Sequence, residues 1–248
     1  MNLSYSPVSS LASTARLGPV PGFDAPTNLL LDALPQAEFR RLQPHLTPIP
    51  LSVGQFLRAG GEPVPRVYFL RRGMVSYRLS TPDETRNQMG LVGPEGVVDT
   101  ADVILGGGPA FIQARVEISG SAVWIPASIL REELQQGGAL RGLLEPYVQG
   151  LLAHATKTAS CNRLHTVQER LTSWLLLIGD RVQADDFEVG EELLARLLEV
   201  HGKVAHVGLD LLQQSGWIHI SRSQITLLNR KALSAHTCEC YPPVLPLA

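Results

Sequence analysis

Residues 190–228 read GEELLARLLEVHGKVAHVGLDLLQQSGWIHISRSQITLL, and their order decides the fold. EELLARLLEV forms one helix, His201-Gly202 a turn, and VAHVGLDLLQQ a second helix. SerGlyTrpIle then leads into a hairpin, HisIle and IleThrLeuLeu joined by SerArgSerGln. Two helices with a short glycine-containing turn expose the second helix, whose width suits the ~12 Å major groove of B-DNA. Leu194, Leu197, Leu198, Val204, Val207, Leu211, Leu212 and Trp217 are expected to form the small core. Lys203 and His206 are then the base-edge candidates, with His201 and Val207 beside them. Ser221, Arg222 and Ser223 at the hairpin tip suit phosphates, contacts that position a protein without reading bases.

Working back toward the N-terminus, Val167 to Val182 is apolar through Leu171, Trp174, Leu175, Leu177 and Ile178, and reads as the first helix of the same unit. A polar turn at 183–186 and a short strand at 187–189 follow it. Before it, Leu140, Leu144, Tyr147, Leu151, Ala155 and Thr158 step by three and four, the spacing of a coiled-coil seam. Leu144, Tyr147, Leu151 and Ala155 are the expected dimer residues, and an amphipathic helix lying on its own domain stays open as the alternative. Pro146 inside this stretch implies either a kink or a helix beginning near Glu145.

Between Thr47 and Pro126 the apolar runs are short, rich in Val, Ile, Phe and Tyr, and broken by Gly and Pro. That pattern predicts compact antiparallel β-structure of roughly eight strands. Its turns are expected at Gly60-Gly61, Gly73, Pro82-Asp83, Gly93-Pro94 and Gly106-Gly107-Gly108. Two short helices, over Leu29 to Leu34 and Phe39 to Leu46, lead into it, and residues 1–27, rich in Ser, Pro, Gly and Ala, read as a flexible arm.

The totals constrain the partners little. The chain has 248 residues, 44% of them apolar, with a formal charge of −2. Three cysteines and no charged, apolar leader suggest a reducing cytoplasm, and no run approaches the roughly 18 apolar residues of a membrane span. No nucleophile, base and orienting group recur at a telling spacing, and no glycine-rich loop follows a strand and opens a helix, so no enzyme is expected.

NLLLDALPQAEFRRLQPHL, VYFLRRGMVS, LVGPEGVV, SCNRLHTVQERLTSWLL and the CECY ending occur in order over about residues 28–241. Together with the winged-helix stretch they resemble the Crp/Fnr transcription regulators. The resemblance implies an α+β chain. It implies that residues 28–136 form an antiparallel β-roll of the double-stranded jelly-roll type, like a cyclic-nucleotide-binding domain. Residues 137–166 are then expected to be a long connecting dimerisation helix, 167–241 a C-terminal winged helix-turn-helix, and 242–248 a tail. Expected partners are DNA, a second copy, an unidentified small-molecule effector and RNA polymerase, with no membrane.

The sequence also departs from that family. Where cyclic-AMP binders carry Gly-Glu for the ribose, Val97 and Val98 follow Gly96, and the phosphate-binding Arg-Ser-Ala site falls within 110–114. Gly96, Val97, Val98, Gln113, Ala114 and Arg115 are therefore the effector-pocket candidates, Arg115 is the nearest substitute cation, and tight cyclic-AMP binding is not expected. The stretch from Thr47 to Pro126 contains no Cys and no His, which excludes a thiolate cluster there. His236, Cys238 and Cys240 lie close together, yet three ligands near a tail are more often incidental, and no metal and no cofactor are expected. The second helix begins His201, Gly202, Lys203 where relatives place Arg and Glu for bidentate base contacts. From Ser160 onward eight Lys/Arg stand against ten Asp/Glu, a poor electrostatic footprint for DNA. Lys203, His201, His206, Arg222, Arg230 and Lys231 could still share a face. The alternative is a degenerate winged helix that contacts protein.

Overall fold

The computed structural model describes residues 28–59, 63–79, 88–104 and 112–241. The arm, the tail and the turns expected at Gly60-Gly61, Pro82-Asp83 and Gly106 to Gly108 lie outside them.

Asn28 opens the first helix. Its side-chain oxygen accepts from the N–H groups of Leu30 and Leu31, both at 3.2 Å, and its amide donates to the carbonyls of Leu70, Pro94 and Gly96. Helix α1 (Leu29–Asp32) is thereby capped and stitched to the β-structure at once. Helix α2 (Gln36–Leu42) and a 3₁₀ turn lead to the strands.

The β-roll comprises β1 (Thr47–Leu51), β2 (Phe56–Arg58), β3 (Arg66–Leu79), β4 (Gln88–Val92), β5 (Val97–Val98) and β6 (Ile112–Pro126), with the short helix α3 (Thr100–Ile104) before β6. All pairings are antiparallel in the order β1-β6-β3-β4, with β2 on β6 and β5 on β3. Among the described residues six strands stand where about eight were expected over 47–126, and β3 and β6 each absorb two of the short apolar runs. Gly73 does not end a strand. It lies inside β3 at φ 87°, where a Cβ would come within 2.5 Å of the Ile118 carbonyl oxygen, and one on Gly120 would meet the Arg72 carbonyl at 2.0 Å. The two glycines let paired strands bend across each other without parting, and the register shifts there.

Helix α4 (Ala127–Gln135) follows β6, and α5 (Ala139–Leu164) lies along the roll. The first turn of α5 is capped from elsewhere in the fold: the Glu38 carboxylate accepts from Ala139 and Leu140 N–H, both at 2.9 Å. Because α5 starts at Ala139, Pro146 lies inside it, and the expected start near Glu145 is not observed. Leu144 and Tyr147 are 0% and 2% exposed within a core shared with α1, α4 and β5. They pack on their own domain rather than on a free face, and Leu151 is half-buried against the same roll.

A capping box, Thr166 with Glu169, opens α6 (Val167–Val182). Then come β7 (Asp186–Glu188), α7 (Glu191–Leu198), α8 (Gly202–Gln214), β8 (Ile218–Ser221), β9 (Gln224–Leu227) and α9 (Arg230–Ala235). The three strands form an antiparallel sheet in the order β7-β9-β8. Leu171, Leu175, Ile178, Leu194, Leu198, Leu209 and Leu212 centre this unit's core, which also takes in Met74 and Leu91 of the roll. Arg181 fixes that contact, its Nε donating to the Leu91 carbonyl at 3.2 Å and lying 3.3 Å from Glu95.

Candidate DNA interface and effector cleft

Helix α8 buries Ala205, Gly208, Leu209 and Leu212. The expected core residues Val204, Val207 and Leu211 are instead 45%, 58% and 51% exposed. Both sets obey a helical period, one residue out of phase with each other. Gly208 settles which turns inward, since a Cβ there would stand 2.8 Å from Leu171 on α6, so the helices approach closely along that line. The outward face carries Lys203, His206 and Val207 with Val204 and Leu211.

His201 is the N-cap of α8, its Nδ1 accepting from the Lys203 N–H at 3.4 Å. His206 is held between carboxylates, with Nδ1 2.9 Å from Glu191 and Nε2 3.4 Å from Asp210. The hydrogen bond to Glu191, then the charges of Asp210 and Glu191, raise its pKa. Those carboxylates also oppose an approaching phosphate. On the wing, Ser221, Arg222 and Ser223 are exposed, and Arg222 takes the left-handed conformation at φ 58° that the tight turn requires. Ser223, in the wing turn, donates to Glu188 of β7 at 3.0 Å. Arg230 pairs with Asp180 and Asp185, so its charge is committed beneath α9.

Of the effector candidates, Gly96, Val97, Val98 and Ala114 are buried. Tyr147 clamps β5, its hydroxyl accepting from Val97 N–H at 3.0 Å and lying 3.1 Å from the Val97 carbonyl. Tyr77, opposite Ala114, accepts from Asp99 N–H at 3.0 Å. Arg58 pairs with Asp99 at 3.1 Å and with Asp102, and donates to the Ile112 carbonyl at 2.7 Å. Own side chains thus fill the interior around these residues. Burial, partly offset by Arg58 and reinforced by Asp102, lifts the Asp99 pKa to about 7. Gln113 donates to the Ala59 carbonyl at 3.1 Å.

Arg115 turns away from that interior. It reaches Glu117 at 3.3 Å and lines a cleft of about 740 Å³ between the roll and α7, together with Phe56, Arg78, Arg196 and His201. Glu117 links the two walls, accepting from Ser76 at 2.7 Å and from Arg196 of α7 at 3.0 Å with its side chain 3% exposed. Sequence reasoning passed over Glu117 and Arg196. The available signal was a carboxylate within the apolar run ArgValGluIle.

The cysteines assemble differently from the expectation. His236 packs on Trp217 with ring centroids 4.3 Å apart and the planes tilted by 45°, and its Nδ1 lies 2.9 Å from the Ala232 carbonyl. Cys238 and Cys240 instead meet Cys161 and His165 at the end of α5, with all four ligand atoms within 4.8 Å of one another. Burial foremost raises the pKa of Cys161 and of Cys240. Burial opposes the Cys238 thiolate too, but hydrogen bonds from Ser173 and neighbouring groups outweigh it and hold that pKa below the usual thiol value.

Among the described residues no helix is long and apolar enough to cross a membrane. No protein-family model matches the sequence, and no curated protein does. Solved structures do match. FixK2 from Bradyrhizobium japonicum superposes with a TM-score of 0.67 at 20% identity, over 78% of this chain and 98% of that one. The c-di-GMP responsive global regulator CLP of Xanthomonas campestris gives 0.64 at 19% identity, over 78% and 99%. TTHA1359, a CRP/FNR family transcriptional regulator from Thermus thermophilus, gives 0.60 at 17% identity, over 77% and 97%. With its β-roll, long helix and winged helix-turn-helix in that order, this chain has the Crp/Fnr-type regulator fold.

Proposed function

We propose that this protein is a sequence-specific DNA-binding transcription regulator of the Crp/Fnr type, acting as a homodimer whose β-roll responds to an effector other than cyclic AMP. The observation that carries the reading is α8 itself: Lys203, His206 and Val207 stand exposed on a helix whose other face is locked into a core, with exposed Arg222 on the adjoining wing. Such a rigid, outward helix is what a major groove accepts. Dimerisation runs along the outer face of α5, where Leu152, Ala155 and Ala159 step by three and four and Leu152 is 70% exposed. Two-fold pairing there would present the recognition helices about 34 Å apart. Cyclic AMP is disfavoured because Tyr77 and the Arg58–Asp99–Asp102 group fill the roll's interior. An effector in the cleft beside Arg115 would touch the roll and α7 together, at the bond between Glu117 and Arg196.

A salt titration of fluorescence anisotropy against DNA from the protein's own promoter region, and against scrambled DNA, tests the reading. Tighter, competitor-resistant binding to the promoter is expected, and replacing Lys203 and Arg222 together by Ala should weaken it and flatten the salt slope. An unchanged slope would refute the assignment of these residues. Calorimetry with cyclic AMP should give no binding, and micromolar affinity would overturn that part.

A second reading, a protein-interaction module without specific DNA binding, draws on one observation. The outward face of α8 is apolar at Val204, Val207 and Leu211, and its His206 is already held by acids. Weak binding, equal on both DNAs and lost by moderate salt, would favour it.

A further inference from the structure

We infer that Cys161, His165, Cys238 and Cys240 form a mononuclear zinc site that clasps the C-terminal segment to the end of the long helix α5. Distance in sequence hid this set: Cys161 and Cys238 are 77 positions apart, and the fold brings their sulfurs to 3.5 Å. Cys240 Sγ lies 3.7 Å from His165 Nδ1. In a tetrahedral zinc site with Zn–S near 2.3 Å and Zn–N near 2.0–2.1 Å, neighbouring ligand atoms lie about 3.5–3.8 Å apart. The two contacts already have that length, and all four atoms fall within 4.8 Å. A disulfide needs about 2.05 Å, so no pair here is joined. A two-iron cluster would splay the ligands into two separated pairs, whereas these surround a single point.

The surroundings support a metal independently of the spacing. His165 turns its other nitrogen, Nε2, toward the Glu239 carboxylate at 3.2 Å. A proton held at Nε2 leaves the Nδ1 lone pair facing the sulfurs, the arrangement in which a carboxylate orients a metal-binding imidazole. Cys161 and Cys238 are 8% and 5% exposed, and Ser173 Oγ lies 3.6 Å from Cys238 Sγ. Three thiolates, a neutral imidazole and Zn²⁺ sum to one negative charge, the thiol protons passing to solvent on binding. Arg170 borders the same small cavity as Cys161 and Cys240, 6% exposed, and its Nε has no hydrogen-bond partner among the described residues. An anionic centre there gives that buried cation its countercharge. Closed four-ligand Cys₃His sites are structural, so the metal's role is to hold the segment after α9 against α5, the helix that leaves the sensor.

The full chain, purified under reducing conditions without chelator, tests this by elemental analysis, and DNA binding does not enter the readout. About one zinc per chain is expected, and exchange for Co²⁺ should give sulfur-to-cobalt charge transfer with tetrahedral d–d bands. Cys240→Ser, the half-buried and least disruptive change, should lose the metal while circular dichroism stays native. His236→Gln should keep it, and Glu239→Gln should keep it with an affinity ten- to a hundredfold lower. Chelation should lower the melting temperature of the parent chain and leave that of Cys240→Ser unmoved. A folded parent chain that holds no zinc and takes up no Co²⁺ overturns the inference, as does a Cys161–Cys238 disulfide in the reduced preparation or equal metal loss from His236→Gln.

Discussion

Glu117→Gln should loosen α7 of the winged-helix unit from the β-roll. The substitution keeps the volume and one acceptor for Ser76 but removes the charge that Arg115 and Arg196 share. Breaking one side of a buried pair costs about 3–5 kcal/mol. The arginine side chains are 24% and 21% exposed and can partly rehydrate, which brings the expected loss to about 2–3 kcal/mol. Arg196→Met leaves Glu117 still bonded to Ser76 and Arg115, and should cost less, about 1–2 kcal/mol. Because the two residues touch, a double-mutant cycle should return a coupling of about 1 kcal/mol or more. Thermal denaturation reads the first effect as a fall of about 5–10 °C. Hydrogen exchange should rise at the amides of α7 and not at those of β6. A Glu117→Gln chain within 0.5 kcal/mol of the parent, with additive doubles, would refute the argument that this carboxylate holds α7.

His154 is buried and its pKa is lowered to about 4 by burial, then by Arg181 and Lys157, against an ordinary 6.5. The unfolded chain takes a proton the folded one refuses, so stability is complete above about 6.5 and falls by about 3 kcal/mol as pH drops to 4. Asp99 runs the other way: raised from 3.8 to about 7, it keeps a proton the unfolded chain releases, so stability falls as pH rises across that window. The parent should show a muted slope between pH 4 and 6.5, His154→Gln a stability falling with pH, and Asp99→Asn one rising with it; parallel melting profiles would contradict this. Asn28→Ala removes a cap and leaves three carbonyls short of a donor, at a cost of about 2–4 kcal/mol by urea unfolding, with Asn28→Asp intermediate. Leu152→Glu should give a folded monomer by sedimentation, whereas Leu144→Glu should fail to fold.

Periodicity located the elements but not their faces: it put Val204, Val207 and Leu211 of α8 in the core, and it left a dimer seam and a packed face both open for α5. In α8 and in α5 two adjacent stripes are both apolar, and the choice fell to a packing detail the stripe does not carry. For α8 that detail is Gly208 against Leu171. For α5 it is the hydroxyl of Tyr147 finding Val97, which draws Leu144 and Tyr147 inward and leaves Leu152 outside. Gly73 and Gly120 read singly as breakers, and only as a facing pair do they become a bend between continuous strands. The long-range groups were illegible for the same reason. Nothing near Cys238 announces Cys161, and nothing near Glu117 announces Arg196, because each pairing exists only after the chain has returned on itself.

What joins the β-roll to the winged-helix unit differs in kind from what holds either together. Each is built around an apolar cluster, Val67, Phe69 and Ile125 in one and Leu175, Ile178 and Leu194 in the other. Among the described residues Met74 and Leu91 of the roll enter the winged-helix core, with half-buried Ile118 packed against it, and polar ties join them: Glu117 to Arg196, and Arg181 to Glu95 and the Leu91 carbonyl. Moving a two-state contact from one part in a hundred to ninety-nine takes about 5.5 kcal/mol. The Glu117–Arg196 pair, at about 1–2 kcal/mol, contributes part of that scale, and at the cleft wall it can be competed for by a charged ligand, which an apolar seam cannot. Under the proposed function, an effector that binds Arg115 or Arg196 in place of Glu117 would supply part of the required difference. It would do so at the wall of the cleft where His201 starts the recognition helix.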